Sequence, residues 1–383
     1  MELILVIPII YLFLLLGLAL EAQSMKALPV DEIITDQKKG FTVIINFRNE
    51  SKNLPRLLFS IADLDYDFQS VQFLFVNDGS SDNSVEIIKQ FQLKNENLNF
   101  EILDRKPRSA SAKKDGITQA IQHAKYDHIV TTDADCLLPE KWLGCFESHF
   151  KRFPETTFIA APVIMGSNKS LVQTLQSQEM IALQIMTMGA FQIKRPFMCN
   201  GANMGFTVDA FKKVDGYSGN THISSGDDVF LLEKMWQLDS EHCHYLKNAD
   251  ATVTTFAKET WSDMISQRAR WAQKGAETAS LLNKAVSFQV LSMSLLFLTA
   301  PFLLLFGLIS MELFLAIYLL KLCTDFIVLF VGKRFFENRK WLRYFAIQFL
   351  IYPVVVIAVT IKSFFKTDWN GREINQPQVE QKT

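Results

Sequence analysis

Two aspartates two residues apart are the first candidates for chemistry in this sequence of 383 residues. Asp133 and Asp135 stand where an apolar, β-branched stretch, residues 128–132, ends. At a strand-to-loop junction both side chains can turn toward one point, and carboxylate oxygens that leave most coordination positions open suit Mg²⁺ or Mn²⁺ shared with substrate phosphates. The alternative is a solvated turn in which an aspartate caps a backbone N–H.

Two further acidic segments can likewise be interpreted either as part of a site or as ordinary turn and helix-start residues. Asp78 follows an apolar run at residues 71–76 and lies in a segment whose Gly and Asp residues are also ordinary turn formers. Asp227 and Asp228 are adjacent and precede a helical pattern at residues 229–232, where acids are common because the helix dipole favours them. As a catalytic pair, their mutual repulsion would favour proton uptake by one of them, as a general base requires.

A third candidate group combines an amide, a guanidinium and an indole. Gln267, Arg270 and Trp271 stand at i, i+3 and i+4, so a helix would present them on one face. A guanidinium matches diphosphate oxygens with two parallel hydrogen bonds, and an indole offers a flat face to a sugar ring. The alternative is an Arg-Trp belt at a membrane interface.

The elements that must position these groups alternate between strand and helix. Predicted strands, which are short apolar runs rich in β-branched or aromatic residues, lie at residues 41–45, 71–76, 100–103 and 128–132. Predicted helices lie between them, at residues 53–62, 84–92 and 112–124. This alternation predicts an α/β fold with a mostly parallel sheet and flanking helices, whose ligands bind at the carboxyl ends of the strands. The polar residues at those ends are Arg48, Glu50, Asp78, Asp133 and Asp135.

Four long apolar runs lie outside this pattern, at residues 3–20, 286–310, 313–331 and 344–361. Each is close to the ~20 residues that a helix needs to cross the ~30 Å hydrocarbon layer. The first run lacks a positively charged start, so we interpret it as an anchor rather than a cleaved signal peptide. The predicted organisation is an N-terminal transmembrane anchor at 1–22, a soluble domain at 40–285, a C-terminal transmembrane helix bundle at 286–363 and a polar tail at 364–383, disordered beyond residue 374.

Basic residues beside the apolar runs predict the orientation of the soluble domain. Lysines follow the first run and precede the second, at positions 26, 38, 39, 274 and 284. The positive-inside rule then places the soluble domain in the cytoplasm, and the basic loop at residues 332–340 fits a cytoplasmic return. Lys362, Lys366 and Arg372 would then lie on the outer side, so the last run is either a span that conflicts with the rule or a re-entrant or interfacial segment.

Charge and cysteine content exclude other classes of protein. The net charge is -1, which gives no concentrated basic surface for nucleic acid. The five cysteines are odd in number and have no CxxC spacing, so neither a disulfide framework nor a zinc site is predicted.

Taken in order, these motifs resemble glycosyltransferase family 2, of GT-A fold, and particularly its membrane-integrated members with a D, D, D, QxxRW pattern. The resemblance covers about residues 41–274. In the first half of this region, residues 46–50 resemble the family's first-strand motif, residues 77–80 its DDGS motif, and Lys113 or Lys114 with Gly116-Ile117 its KxxAL segment. Residues 132–136 resemble the TDAD motif and residues 200–203 the GAN loop. Residues 226–228 resemble the ED or GDD motif, and residues 267–271 the QxxRW motif.

The resemblance implies inverting transfer of a sugar from a nucleotide-diphosphate sugar, such as a UDP-sugar, to a lipid-linked or glycan acceptor. It also implies Mn²⁺ or Mg²⁺ as cofactor, membrane lipids as partners and a bacterial cytoplasmic (inner) membrane as location. Asp228 would be the catalytic base, assisted by Asp227. The implied nucleotide-sugar residues are Arg48, Glu50, Asp78, Lys113, Asp133 and Asp135, and the last two would hold the metal. The implied acceptor and diphosphate residues are Asn200, Gly201, Gln267, Arg270 and Trp271.

Departures from the family pattern leave alternatives open. Asn77 replaces the first aspartate of DDGS, so nucleotide contact would rest on Asp78 alone. A processive polysaccharide synthase is one alternative, although four spans make a small channel, and a catalytically silent membrane scaffold is another. Lys321 and Asp325, at i and i+4 in the third apolar run, predict either a matched pair inside the helix bundle or the lining of an acceptor route.

Overall fold

The computed structural model of the chain contains two compact units. The described residues are 2–28, 38–166, 170–221, 223, 225–336, 341–365, 368–369 and 372–373. The helical unit comprises residues 1–26, 165–197 and 257–367, and the sheet unit comprises 27–164, 198–256 and 368–383. The helical unit thus includes two segments that the sequence assigned to the soluble domain, residues 165–197 and 257–285. The domain boundaries stay a prediction. The predictions for Lys366, for residues 337–340 and for the tail beyond 374 lie outside the described residues.

Helices and strands have the following bounds. The strands are β1 Phe41–Phe47, β2 Val71–Asn77, β3 Phe100–Asp104, β4 His128–Asp133, β5 Phe158–Ala160, β6 Val163–Gly166, β7 Met204–Thr207, β8 Cys243–Tyr245, β9 Val253–Phe256, β10 Asp368–Trp369 and β11 Arg372–Glu373. The α-helices are α1 Val6–Ser24, α2 Leu54–Ala62, α3 Ser84–Lys94, α4 Ala112–Gln122, α5 Trp142–Arg152, α6 Leu171–Gln192, α7 Val208–Lys213, α8 Val229–Leu238, α9 Trp261–Glu277, α10 Leu281–Leu305, α11 Met311–Phe336 and α12 Trp341–Ser363.

Seven strands of the sheet unit form one sheet in the order β3-β2-β1-β4-β7-β5-β8. The first four run parallel, whereas β7 is antiparallel to both of its neighbours. The register pairs Asn46 with Asp133 and Phe47 with Asn77, so β1, β2 and β4 end at the same edge. The predicted mostly parallel sheet with flanking helices is confirmed. Its polar strand ends lie side by side, as the sequence predicted.

The central strands form because their residues can be buried on both faces of the sheet. Every residue of β2 is buried, and six of the seven residues of β1 are buried. Such continuous burial is typical of parallel strands, whose β-branched and aromatic side chains pack on both sides. Phe41, Phe73 and Phe75 share a core cluster with Trp142 of α5. This core fixes the strand ends that carry the polar residues.

In the part of the helical unit that the structure describes, four helices are long and apolar enough to cross a membrane: Leu3–Ser24, Leu281–Leu305, Met311–Phe336 and Tyr344–Ser363. They coincide with the four apolar runs of the sequence. A further helix, α6, packs against α1 and α11. A Cβ at Gly189 of α6 would be 2.0 Å from the Leu18 carbonyl oxygen, and one at Gly332 of α11 would be 2.3 Å from the Ile181 side chain. Small residues at such crossings let helices approach closely.

Lys321 and Asp325 form an ion pair inside the helical unit, as the matched-pair prediction stated. Lys321 is only 2% exposed, and its ammonium lies 4.7 Å from the ring centre of Phe349. The Tyr11 hydroxyl of α1 donates to Asp325 at 2.7 Å. The pair therefore also ties α1 to α11. A role in guiding an acceptor stays a prediction.

Candidate active site

The loops that follow β1 and β2 are hydrogen-bonded to each other. Asn49 adopts a left-handed backbone conformation, with φ at 53°, and its side-chain oxygen accepts from the Ser81 N–H at 2.8 Å. The Ser51 N–H donates to Asp82 at 3.0 Å, as does the Ser84 N–H. Burial raises the pKa of Asp82, but hydrogen bonds from Ser84 and Ser51 outweigh it and lower the pKa to about 2. These bonds fix the ends of the two strands relative to each other.

Asp78, directly after β2, lies between two arginines. Its carboxylate is 2.5 Å from Arg105 Nε and 3.5 Å from Arg48 Nη1, and the residue is 7% exposed. Arg105 is also 3.0 Å from Asp115 of α4, so this buried guanidinium has two acidic partners. No sequence motif marked Arg105, although a basic residue directly after β3 stands at the same edge of the sheet. Arg48 and Asp78 meet as predicted, and their contact with a nucleotide stays a prediction.

Glu50 and Asn77 both have local bonding roles. The Glu50 carboxylate accepts from Asn53 Nδ2 at 2.8 Å at the start of α2. Asn77 Nδ2 donates to Asp104 at 2.9 Å, while its Oδ1 accepts from the Ser80 N–H at 2.9 Å. An ionised aspartate could not donate the first of these bonds. The amide at position 77 therefore fits this turn, which explains the departure from the DDGS pattern.

Lys113 of α4 is the centre of the candidate site. Its ammonium lies 2.6 Å from Asp133 Oδ1 and 3.1 Å from Asp227 Oδ2. Burial lowers the pKa of Lys113, but the charges of these two carboxylates outweigh it and raise the pKa well above its usual value. A permanent cation thus joins the end of β4 to the acidic pair before α8. The sequence left Lys113 and Lys114 open, and Lys114 instead donates to backbone carbonyls at residues 220 and 223.

Gly201 lies directly against this cluster. Thr131 Oγ1 of β4 donates to the Gly201 carbonyl at 2.8 Å, which holds the loop beside the sheet. A Cβ at Gly201 would be 2.5 Å from Asp227 Oδ2 and 2.9 Å from Lys113 Nζ. Any side chain here would therefore push charged groups out of place, and glycine is required by close approach rather than by backbone conformation.

Asp228 is held at both carboxylate oxygens. Oδ1 accepts from the Val229 N–H at 2.8 Å and caps α8, and Oδ2 is 3.4 Å from the Gly201 N–H. The N-terminal dipole of α8 favours the ionised form, which can accept a proton from a hydroxyl group. Asn200, half-buried beside Gly201, has a carbonyl that accepts from the Asn203 N–H at 3.0 Å in the same loop.

Asp133 and Asp135 supply oxygen atoms that a divalent metal could use. Both residues are half-buried after β4, and Cys136 Sγ lies 3.8 Å from the Asp135 carboxylate. Within the described ranges, no cluster of three or more His, Cys, Asp or Glu side chains could hold a metal by itself. Two hard carboxylates fit Mg²⁺ or Mn²⁺ that takes its remaining ligands from water and a diphosphate.

The QxxRW segment lies in α9 of the helical unit. Arg268 occupies one of the variable positions of the QxxRW motif. Its Nε lies 2.7 Å from Glu179 Oε2, and its Nη1 donates to Gln267 Oε1 at 2.7 Å. Its guanidinium also lies 4.2 Å from the Trp271 ring centre. Arg270 is half-buried, and burial lowers its pKa from the usual value. Arg268 thus joins Gln267 and Trp271, and the roles of Gln267, Arg270 and Trp271 toward a substrate stay predictions.

Comparison with known proteins gives one family and several relatives. Residues 42–214 match the model of the family described as Glycosyl transferase family 2. The chain is 26% identical over 251 residues to poly-beta-1,6-N-acetyl-D-glucosamine synthase of Staphylococcus aureus (strain COL), covering 64% of this chain and 57% of the relative. The protein of the same name from Staphylococcus epidermidis is 26% identical over 246 residues, covering 63% and 56%.

A solved structure has the same fold over almost the whole chain. It is the mannosyltransferase PcManGT from Pyrobaculum calidifontis in complex with GDP-Man and Mn²⁺, with a TM-score of 0.60 and 14% sequence identity. The match covers 94% of this chain and 99% of that chain.

Proposed function

We infer a specific reaction for this chain, whose residues 42–214 match the Glycosyl transferase family 2 model and which is similar to polysaccharide synthases. It is the metal-assisted transfer of a sugar, with inversion, from a UDP-sugar to a hydroxyl group of a glycan or lipid-linked acceptor. The observation that carries this proposal is Lys113, which bridges Asp133 and Asp227. One cation thereby links the carboxylate proposed for the donor diphosphate to the acids proposed for the acceptor. The proposed transfer also distinguishes the chain from a catalytically silent membrane scaffold, which would release no UDP.

The donor is proposed to bind across the ends of β1, β2 and β4. Asp78 offers a carboxylate, fixed by Arg48 and Arg105, that can accept from a base N–H. Lys113 and the β4 carboxylates would face the diphosphate. The named relatives synthesise a polymer of N-acetylglucosamine, so UDP-N-acetylglucosamine is the first donor to test. The relatives are longer than the matched region, and this sugar is therefore a proposal for the present chain.

The transfer step is proposed to use Asp228 as the base. The acceptor oxygen bonds to the anomeric carbon while its proton passes to Asp228. The bond from that carbon to the diphosphate oxygen breaks, and its electron pair leaves with the nucleoside diphosphate. Lys113 balances the acidic cluster, and the Gly201 N–H lies beside Asp228 Oδ2, at 3.4 Å. Bound at Asp133 and Asp135, Mn²⁺ or Mg²⁺ would stabilise the negative charge of the leaving diphosphate.

A processive polysaccharide synthase is the second candidate, because both named relatives are polymer synthases. The two modes differ in their products. With scarce acceptor and excess donor, a processive enzyme gives a few long chains while most acceptor stays unextended. A single-transfer enzyme adds one residue to each acceptor before any long product accumulates. Mass spectrometry of early products separates the two.

We also propose that the sheet unit faces the cytoplasm from a bacterial cytoplasmic membrane. The four helices that could span a membrane and the lysines beside the first two support this arrangement. Protease added to sealed inverted vesicles should then cleave the sheet unit, and protease added to intact spheroplasts should not. The reverse pattern would exclude the cytoplasmic orientation.

The test of the proposed base is Asp228→Asn in the full-length protein. Asparagine can still cap α8, so folding should be retained, but its amide cannot accept the proton. Loss of a general base typically lowers the rate by ~10²- to 10⁴-fold. Released UDP and glycosylated product are both measured, with Asp209→Asn as control because that residue is an exposed partner of Lys213 in α7. Turnover within tenfold of wild type would remove Asp228 from this role and make Asp227 the candidate.

A further inference from the structure

The loop between α7 and α8 is held at both ends by lysine side chains. We call residues 214–223 the clamped loop; residue 222 lies outside the described residues. Lys234 of α8 donates to two carbonyls at its start and Lys114 of α4 donates to two at its end, at 2.7–3.0 Å. The accepting carbonyls are those of Val214, Gly216, Asn220 and Ile223.

The burial of these lysine side chains explains why they bind backbone carbonyls. Lys114 is 1% exposed, and an ammonium at that depth needs hydrogen-bond acceptors, which the two carbonyls provide. It also lies 4.8 Å from the ring centre of Phe230 in α8. Burial lowers the pKa of Lys234 from its usual value, which fits its partly enclosed position. The described ends of the clamped loop are therefore fixed to α4 and α8, and the acidic pair of the candidate site follows shortly after it in the chain.

Tyr217 projects from the clamped loop into the protein. The residue is 3% exposed, and its ring packs edge-on against Phe211 at 5.5 Å between centres. Its hydroxyl has no hydrogen-bond partner among the residues that the structure describes. Buried phenol groups normally have such a partner, because a hydroxyl removed from water without one is destabilising. This unmet hydrogen-bonding capacity points to a ligand.

The surroundings of the phenol identify the side of the site on which it lies. Burial raises the pKa of Tyr217, and the negative charges of Asp227 and Asp228 raise it further, while Lys113 acts in the opposite direction. The phenol is therefore neutral at physiological pH and can donate a hydrogen bond. Cys199, directly before the loop that carries Gly201, also raises the pKa of Tyr217. Asp227 and Asp228 are the acids proposed to act on the acceptor, and Lys113 joins Asp227 to Asp133 on the donor side.

We propose that the Tyr217 hydroxyl binds the acceptor sugar by a hydrogen bond to one of its hydroxyl or ring oxygens. The inference rests on the proposed function, which supplies a glycan acceptor beside Asp228. It deepens that function, because it names a residue that selects for an acceptor with an oxygen at a fixed position. A site built to hydrogen-bond a substrate oxygen discriminates against analogues that lack it. The clamped loop would supply the rigidity that such selection requires.

The test compares Tyr217→Phe with Tyr66→Phe in the full-length protein in detergent. The probe is a β-1,6-linked N-acetylglucosamine oligosaccharide, with UDP-N-acetylglucosamine as donor. The KM for each substrate and the thermal midpoint are measured. Tyr66 is a matched control, since its hydroxyl donates to the Lys39 carbonyl at 2.8 Å and lies outside the proposed site.

Tyr217→Phe should raise the acceptor KM about threefold to tenfold, the range for one neutral hydrogen bond, and leave the donor KM unchanged. Its thermal midpoint should stay the same or rise, because the variant removes a buried hydroxyl without a partner. Tyr66→Phe should do the opposite, with a lower midpoint and both KM values unchanged. Equal acceptor KM values for wild type and Tyr217→Phe would overturn the role of Tyr217. Wild-type protein that transfers nothing to the probe would overturn the proposed acceptor class and this inference with it.

Discussion

Replacing Gly201 with alanine is a direct test of the charged cluster around Lys113. The added Cβ would stand 2.5 Å from Asp227 Oδ2 and 2.9 Å from Lys113 Nζ, whereas ordinary contact begins at 3.4 Å. Asp227 must therefore move by about 0.9 Å, the difference between the first and last of these distances. A displacement of about 1 Å in a catalytic arrangement can lower the rate by ~10²-fold. We expect kcat to fall by about that factor.

The same substitution should leave the protein folded. Both crowded groups are the ends of flexible side chains, so they can move without a change in the backbone. Gly201 is also absent from the positions with positive φ, so alanine is compatible with its backbone. A compatible Gly→Ala change stabilises by about 0.4–1 kcal/mol through the unfolded chain, which offsets part of the strain.

The assay measures kcat from released UDP and the thermal midpoint from the same sample. Gly17→Ala is the matched control, because a Cβ there meets nothing within 4 Å. That variant should keep wild-type values in both measurements. A Gly201→Ala enzyme with kcat within threefold of wild type would refute the argument, since the displaced Asp227 and Lys113 would then not matter to catalysis.

Three other sets of substitutions test separate parts of the molecule. Lys321→Leu alone leaves the charge of Asp325 inside the helical unit and should lower the free energy of unfolding by ~3–5 kcal/mol. The double variant, Lys321→Leu with Asp325→Leu, should have a thermal midpoint close to that of wild type. Equal thermal midpoints for the single and the double variant would contradict a matched pair. A stable double variant that hydrolyses the donor but fails to glycosylate a lipid acceptor would support the acceptor route. Arg270→Lys keeps the charge but loses the planar fork, so the donor KM should rise; unchanged donor kinetics would favour a membrane-interface role. Asp135→Ala should weaken both metal dependence and UDP-sugar affinity, and full activity of wild type in excess chelator would exclude the metal-assisted reaction.

The parallel half of the sheet could be predicted because its strands are continuous buried runs. The predicted run at residues 71–76 corresponds to β2, and the run at 128–132 corresponds to β4. The other half of the sheet was not predicted, since β7 has four residues and β5 and β8 have three each, too few for a periodic pattern. The helix α6 was also missed as part of the apolar assembly. It buries polar residues such as Gln176 and Gln184, which conceal its packing from a search for apolar runs.

Site residues could be predicted when their position along a strand or helix was enough to identify them. Asp78 and Asp133 lie at strand ends, and Lys113 joins Asp133 to Asp227 in the structure. Arg268 could not be found in this way, because its partner Glu179 is 89 positions away in the sequence. Tyr217 gave no signal either, since only the fold reveals that its hydroxyl is buried without a partner.

The division into a helical unit and a sheet unit limits how the protein can be cut. The chain passes between the two units after Lys26, Ile164, Phe197, Phe256 and Thr367. Removing both ends of the chain would therefore still leave α6 inside the remaining polypeptide, without α1 and α11 to cover it. Its buried face would then be open to water and would promote aggregation. A water-soluble catalytic fragment needs an internal splice from residue 164 to residue 198, because no truncation at the termini alone removes that helix.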